Sequence, residues 1–329
     1  MAKTTPLYRE VLKKSFLISW KNKWLWFYGF FASALGSGLA YEVFWKSFSS
    51  AGAAGWDVGL YLPPVFGKIN FLESFKIWGL PWSIILVGLV IIALCLVVVF
   101  VAVVSYGALI YGARKATRGK SGFRDSWNAG FKNFWHILGY NAGGKILTYA
   151  LVFLAALPLG WYLKSGGTGA FILYFLIFIV TVAASLVISF LCVFASAGRV
   201  ILGENFLESV KNALITFKNH WLVSIEMTAI LFALNVVGAL LLATVMIFVS
   251  VPFFLLFLGA YLLNSGFAFW TVLILALLVY GLLTVLAGSF LSAWNISSWT
   301  VLYLRIVENT AVSKLMRLTK NLQSYFKFR

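Results

Sequence analysis

Over most of this chain the apolar positions neither alternate nor recur on one face; they run together. Six stretches are apolar enough to be read as helices through a hydrocarbon layer roughly 30 Å thick, which takes about 20 residues. They are Trp24 to Tyr41, Trp82 to Ala113, Ile146 to Leu163, Ala170 to Gly198, Leu222 to Ser250 and Phe267 to Leu304. Before the first, third and fifth the pattern changes to a helical stripe. In ENFLESVKNALITFKNHW, Phe206, Leu207, Val210, Ala213, Leu214 and Phe217 share one face, while Lys211, Asn212 and Lys218 lie off it. Asn205 followed by Glu208 forms a capping box at its start. Phe123, Trp127, Phe131, Phe134 and Leu138 make a comparable stripe, with Arg124, Asp125, Asn128 and Lys132 beside it. Near the amino terminus Thr5-Pro6 suits a helix start and Leu7, Tyr8, Val11 and Leu12 begin a stripe, although Leu17 breaks its polar face.

Each stripe ends on nearly the same words: WKNKW at 20–24, FKNFW at 131–135 and FKNHW at 217–221. Helices too charged to span suit a position in the plane of the interface, apolar face down and lysines toward anionic headgroups. The phrase then marks a corner into the membrane. Lys21, Lys132 and Lys218 snorkel to phosphate, the asparagine satisfies backbone groups at the bend, and Trp24, Trp135 and Trp221 anchor the following span at headgroup depth. The expected fold is an all-α integral membrane protein of six transmembrane helices, in three repeats of amphipathic in-plane helix plus transmembrane hairpin: residues 1–115, 116–203 and 204–329.

The outward connections differ among the units. KSGGTG at 164–169 reads as a short turn, whereas 42–81 is rich in aromatics around Pro63-Pro64 and reads as containing an outer interfacial helix near Asn70 to Trp78. Apolar character continues beyond Ser250 through Pro252 to Leu263, either as a kinked fifth span or as a short outer helix.

Composition agrees with a membrane protein: 62 % hydrophobic and 11 % charged residues, against roughly 45–50 % and about 25 % in soluble domains. The formal charge of +17 would suggest nucleic acid in a soluble chain, but its distribution excludes that reading. Of the 26 lysines and arginines, 22 fall on alternate connections and the two termini, and 4 on the other side. The positive-inside rule therefore places both termini in the cytoplasm, in a multi-pass protein of the cytoplasmic membrane. The first apolar run is followed by Ala32-Ser33-Ala34 but reads as an uncleaved span, since its polar leader is long. Cys95 and Cys192 fall inside expected spans and suggest neither disulfide nor metal.

Catalytic groups are scarce. His136 and His220 stand beside the anchor tryptophans, no paired carboxylates or phosphate-cradling glycine loop occurs, and no serine has an evident activating base. The expectation is no catalytic residue, no metal and no cofactor. Glu226 is the one acid inside an expected span. It pairs with Lys145 across two repeats, lines a polar pathway with Lys145, Asn235 and Asn295, or snorkels to water. Asn235 and Asn295 more often link helices, and Gly107, Gly112, Gly139, Gly143 and Gly144 suggest close helix packing.

The stretch YGALIYGARKATRGKSGFRDSWNAGFKNFWHIL resembles a junction in a loose group of prokaryotic polytopic proteins of unknown function, allied to the membrane domain of some glycerophosphodiester phosphodiesterases. YREVLKKSFLISWKNKWLWFYGFF is similar to their amino-terminal segment. The resemblance covers about a third of the chain and implies some six helices with in-plane connectors. It carries over no catalytic residue, and the soluble phosphodiesterase domain is absent. The expected role is non-enzymatic: a lipid-interface or scaffold protein, whose partners are anionic headgroups of the cytoplasmic leaflet and a membrane-protein partner or second copy. A transporter or lipid-moving permease is the alternative.

Cysteines introduced at Ser121 and Ser313 are expected to react only with cytoplasm-accessible reagents, and those at Ser165 and Asn264 only from outside. Labelling of Ser165 from the cytoplasm alone would overturn this topology.

Overall fold

The computed structural model describes residues 7–36, 81–119, 122–165 and 168–308. Among them all regular structure is helical: α1 Leu7–Lys21, α2 Trp24–Gly36, α3 Pro81–Arg118, α4 Phe123–Lys132, α5 Phe134–Ser165, α6 Thr168–Leu202, α7 Phe206–Leu262 and α8 Gly266–Val307. Five of these, α3, α5, α6, α7 and α8, are long and apolar enough to cross a membrane. That is one fewer than the six expected spans. The difference lies at the first, where α2 is described for 13 residues only. The rest of that span, the outer helix expected near Asn70 to Trp78 and the basic tail beyond 308 lie outside the described residues.

Hydrocarbon offers no partner for backbone N–H and C=O groups, so uninterrupted helix is the form an apolar run takes there. The helices break where polar words are written. Asn22 and Lys23 separate α1 from α2, and Asn133 separates α4 from α5. Within α7 the backbone leaves helical geometry at His220 (φ −129°, ψ 27°), so 206–219 is a helix distinct from the long apolar one that follows. The choice left open at Pro252 resolves as one continuous helix to Leu262. Leu263 and Asn264 (φ 48°) make the turn, and the Ser265 hydroxyl caps α8 by accepting from the Ala268 N–H at 3.3 Å.

The core is asymmetric along the helices. Residues 102–110 of α3, 194–198 of α6 and 300–303 of α8 are buried at every successive position. Successive helical residues point all round the axis, so these turns are enclosed on every side. All three precede basic residues, Arg114, Arg199 and Arg305, so the packed core sits at the basic end. Away from it the same helices are bare: 89–99 of α3 are exposed without a break.

Close packing at the basic end relies on missing side chains. A Cβ on Gly130 of α4 would overlap the Val104 carbonyl and lie 2.9 Å from the Ala108 nitrogen of α3, and one on Gly107 would lie 3.0 Å from the Gly130 Cα. Gly29 of α2 is seated in the same way against Ser289 and Ala293 of α8. Gly112, Gly139 and Gly144 also face neighbours, as expected, whereas Gly143 has open space around it. Small residues let backbones approach, which is how helices gain dispersion contacts where no hydrophobic drive separates them from lipid.

Gly130→Ala is therefore expected to lower the melting temperature of the detergent-extracted protein, by the equivalent of about 1–3 kcal/mol of overpacking. Gly143→Ala, with nothing to meet and a better helix former gained, should leave it unchanged or slightly higher. Equal effects of the two would reject the close α3–α4 crossing.

Candidate functional site at the basic end of the bundle

The three repeated phrases sit at helix breaks. In the first, the Asn22 side chain donates to the Ile18 carbonyl at 2.9 Å; in the second, Asn133 donates to the Ala129 carbonyl at the same distance. The Asn133 N–H bonds the Gly130 carbonyl at 3.2 Å, so its side chain serves the Ala129 carbonyl in its place, whereas the Ile18 carbonyl also keeps the Asn22 N–H at 3.1 Å. The third break falls one residue later, at His220. Lys21, Lys132 and Lys218 are all exposed, and none forms an ion pair within the described residues.

The tryptophans are not equivalent. Trp135 is 76 % exposed and Trp221 52 %. Trp24 departs from the expectation of a free interfacial anchor: its ring packs edge-on against Tyr28 and Phe123, and it fills the space that Gly112 leaves. Here α2 lies against α3, and its Tyr28 stacks on Phe123 of α4, so protein and not open surface meets the Trp24 ring.

The amphipathic stripes are likewise shared between protein and surroundings. On α1, Leu7, Tyr8, Val11, Ser15, Ile18 and Ser19 are buried against other helices. The apolar face expected to lie on lipid is thus the docking face. Phe16, Leu17 and Trp20 are exposed, Phe16 and Trp20 at the edge of the docking face where they also meet Phe290 of α8, and the exposed Leu17 accounts for the leucine that interrupted the polar face. In 206–219, Ala213 is buried and Phe217 stacks on Phe190 at 5.4 Å, while Leu207 is 78 % exposed and Leu214 is also bare. Phe123 and Phe131 are exposed apolar residues of α4.

Polar contacts fix these connectors to the ends of the spanning helices. Lys115 of α3 bonds Asp125 of α4 at 2.6 Å, and this ammonium holds the Asp125 carboxyl below the usual carboxylate range. Arg199 of α6 donates to the Asn133 side chain at 3.0 Å and to the Glu204 carbonyl at 2.6 Å, just ahead of α7. Arg305 of α8 pairs with Glu10 of α1. Two tyrosines add a second set. Tyr28 of α2 stacks on Phe123, the first residue of α4, at 4.9 Å and donates to its carbonyl at 3.0 Å. Tyr140 of α5 stacks on Phe206, the first residue of α7, at 4.6 Å and donates to its carbonyl at 3.3 Å.

Glu226 and Lys145 are not brought together. Glu226 accepts from the Tyr8 hydroxyl of α1, while Lys145 is exposed on α5. Asn295 donates to the Asn235 carbonyl oxygen at 3.0 Å, joining α8 to α7. The four polar residues considered for one pathway therefore fall into an α1–α7 contact, an α7–α8 contact and one exposed lysine. A groove of about 290 Å³ between α5 and α6 is lined by Leu151, Leu154, Ala155, Leu176, Ile177, Val180 and Thr181, apolar but for one hydroxyl. Among the described residues no group of three or more histidines, cysteines and acids could hold a metal ion. His136 faces the Phe206 ring at 6.4 Å with a buried Nδ1 that has no hydrogen-bond partner.

Sequence reasoning passed over Tyr8, Arg199 and Glu204, and over Ser15, which meets Ser298 at 2.7 Å. The last had a legible signal: Ser15 and Ser19 share the face of Tyr8 and Val11, as do Ser297 and Ser298 within a span. Comparison with family models, curated proteins and solved structures found no match.

If Glu226 holds Tyr8, then Tyr8→Phe and Glu226→Gln should be non-additive in the stability of the detergent-extracted protein, with a coupling of about 0.5–1.5 kcal/mol. Glu226→Gln and Lys145→Gln should add. The reverse pattern would restore the ion pair between repeats.

Proposed function

We propose that this protein is a non-enzymatic organiser of the lipid interface, built as a closed ring of three units. Three kinds of contact support the ring. The end of each hairpin's second helix touches the next connector: Lys115 with Asp125, Arg199 with the Glu204 carbonyl, and Arg305 with Glu10. A side chain four or five residues past each corner tryptophan reaches the start of the next connector: Tyr28 to Phe123, Tyr140 to Phe206, and Glu226 to Tyr8. The second helices α3, α6 and α8 also supply the enclosed turns of the core. The closing contacts join residues 295 and 218 positions apart, so neighbouring sequence does not explain them.

A ring of this kind turns three connectors toward one leaflet. The observation that carries the functional reading is that each connector and its corner leave bulky apolar side chains uncovered beside unpaired lysines: Phe16, Leu17 and Trp20 with Lys21; Phe131 and Trp135 with Lys132; Leu207, Leu214 and Trp221 with Lys218. That combination suits the boundary between acyl chains and anionic headgroups. The cytoplasmic leaflet is the one the charge bias favours. The bare outer halves of the spans fit lipid, a membrane-protein partner or a second copy equally. The transporter alternative draws less support, since its polar residues are spent on helix-to-helix contacts or stand apart. The likeness to the phosphodiesterase-associated membrane domain rests on its junction residues and brings no activity with it.

In liposomes of varied anionic-lipid content, Lys21→Gln/Lys132→Gln/Lys218→Gln should lose the preference for anionic lipid, at about 1 kcal/mol per lysine and less as salt rises. Trp135→Leu/Trp221→Leu should shift depth, read by lipid-attached quenchers, and largely keep that preference. An unchanged preference in the lysine variant at low salt would overturn the reading.

A further inference from the structure

At the first corner the anchor tryptophan is used internally, and something else meets the interface. Five aromatic rings from three helices gather there. Trp20 of α1 lies 6.0 Å from Phe16, 5.9 Å from Trp26 of α2 and 5.8 Å from Phe290 of α8, and Trp294 lies 5.3 Å from Phe16. Two of the three indole N–H groups are committed: Trp26 donates to the Ser19 carbonyl at 2.8 Å, and Trp294 to the Ser15 hydroxyl at 3.2 Å. The Trp20 N–H makes no hydrogen bond within the described residues, and the residue is 54 % exposed. Lys21 and Lys23 follow it at the corner, exposed and without ion pairs.

We propose that Trp20, Lys21 and Lys23 form a specific binding position for one anionic phospholipid. The two ammonium groups meet the phosphate, the Trp20 N–H serves a phosphate or ester oxygen, and Phe16 and Leu17 meet the upper acyl chain. Three features favour a held lipid over a general belt. The rings are braced by one another and by α8, so little rotamer freedom is lost on binding. Trp26 fastens the corner to the end of α1 through the Ser19 carbonyl, which fixes the lysines' backbone. An indole N–H left free beside two unpaired cations asks for an oxygen-rich anion. This inference rests on the lipid-interface reading and narrows it to one corner.

Full-length protein in detergent would be titrated with phosphatidylglycerol or phosphatidylcholine of matched chains, with occupancy read by native mass spectrometry. Trp20→Leu and Lys21→Gln/Lys23→Gln should each weaken the tightest phosphatidylglycerol by on the order of tenfold, with phosphatidylcholine unaffected. Lys132→Gln/Lys218→Gln should retain it, and glycerol phosphate should not compete. Trp20→Phe keeps a stacked ring without the N–H and should fall between wild type and Trp20→Leu. Should Trp20→Leu lower the melting temperature, the lysine pair, which breaks no ion pair, decides alone. Wild-type binding by the corner variants would overturn this site, and loss confined to Lys132→Gln/Lys218→Gln would do so while leaving the general reading standing. Competition by glycerol phosphate would show recognition of phosphate alone and overturn the lipid assignment. Equal binding of both lipids by every form would overturn this site and the general reading together.

Discussion

The docking of α1 onto α8 is the interaction on which the rest of the basic end depends. A helix of 15 residues is marginal alone in water, and its apolar face could as easily seek lipid as protein. What selects protein is polar specificity along the seam, Glu10 to Arg305, Ser15 to Ser298 and Ser19 to Ser297 at 3.4 Å, with Tyr8 reaching Glu226 of the adjoining α7. Each such bond is modest, about 0.6 kcal/mol on average between membrane helices. Together they fix register, because lipid tails compete for apolar faces and not for hydroxyls. Once α1 is seated, Trp24 and Tyr28 of α2 are carried against α4, and Gly29 against α8. The first described helix is thereby clasped to the last.

That seating explains why connectors have two apolar sides. A helix resting on lipid needs one stripe, and a helix packed under a bundle needs one stripe; a helix lying between them needs both. Val210, Ala213 and Phe217 face the protein while Leu207 and Leu214 remain uncovered, and Ser15 and Ile18 are buried while Leu17 is exposed and Phe16, at the edge of α8, is partly so. Lysines then occupy what remains of the circumference. The broad stripes seen in the sequence are each the sum of two narrower ones.

Much of this was legible from residue patterns. The corner at each repeated phrase, the starts of α4 and the 206–219 helix, and the Asn205–Glu208 capping contact at 3.2 Å are local, and local rules reach them. That Asn235 and Asn295 link helices agrees with the general behaviour expected of amides at that depth, although the sequence does not pair them with each other. Partner choice was not legible. Lys145, a charge on the neighbouring span, is one partner the sequence offers Glu226, beside a polar pathway and snorkelling to water, whereas the structure gives it a phenol 218 residues away. A carboxylate can be satisfied by any donor within reach, and reach is set by which helices adjoin, a property of the assembled bundle. Trp24 failed as an anchor for a related reason: amphipathic rings mark interfaces of both kinds, and the ring alone does not say whether lipid or protein lies across from it.

The contrast between the two ends of the molecule carries the last step. The 42 residues of α8 span about 63 Å, roughly twice the hydrocarbon thickness, and the part of α7 beyond His220 runs alongside it. Among the described residues, hydroxyls, tyrosines and close glycine approaches concentrate where α8 meets α1, α2 and α3, whereas in the far portion of this hairpin Tyr280 donates to Ser250 at 2.8 Å. Polar contacts and close glycine approaches are what distinguish a protein neighbour from lipid, so the order of the bundle is written into one end. The far end carries almost none, and its exposed faces are specified only to be apolar. The basic end is thus closely specified and the far end loosely so, which supports the lipid-interface role proposed above over one performed across the membrane.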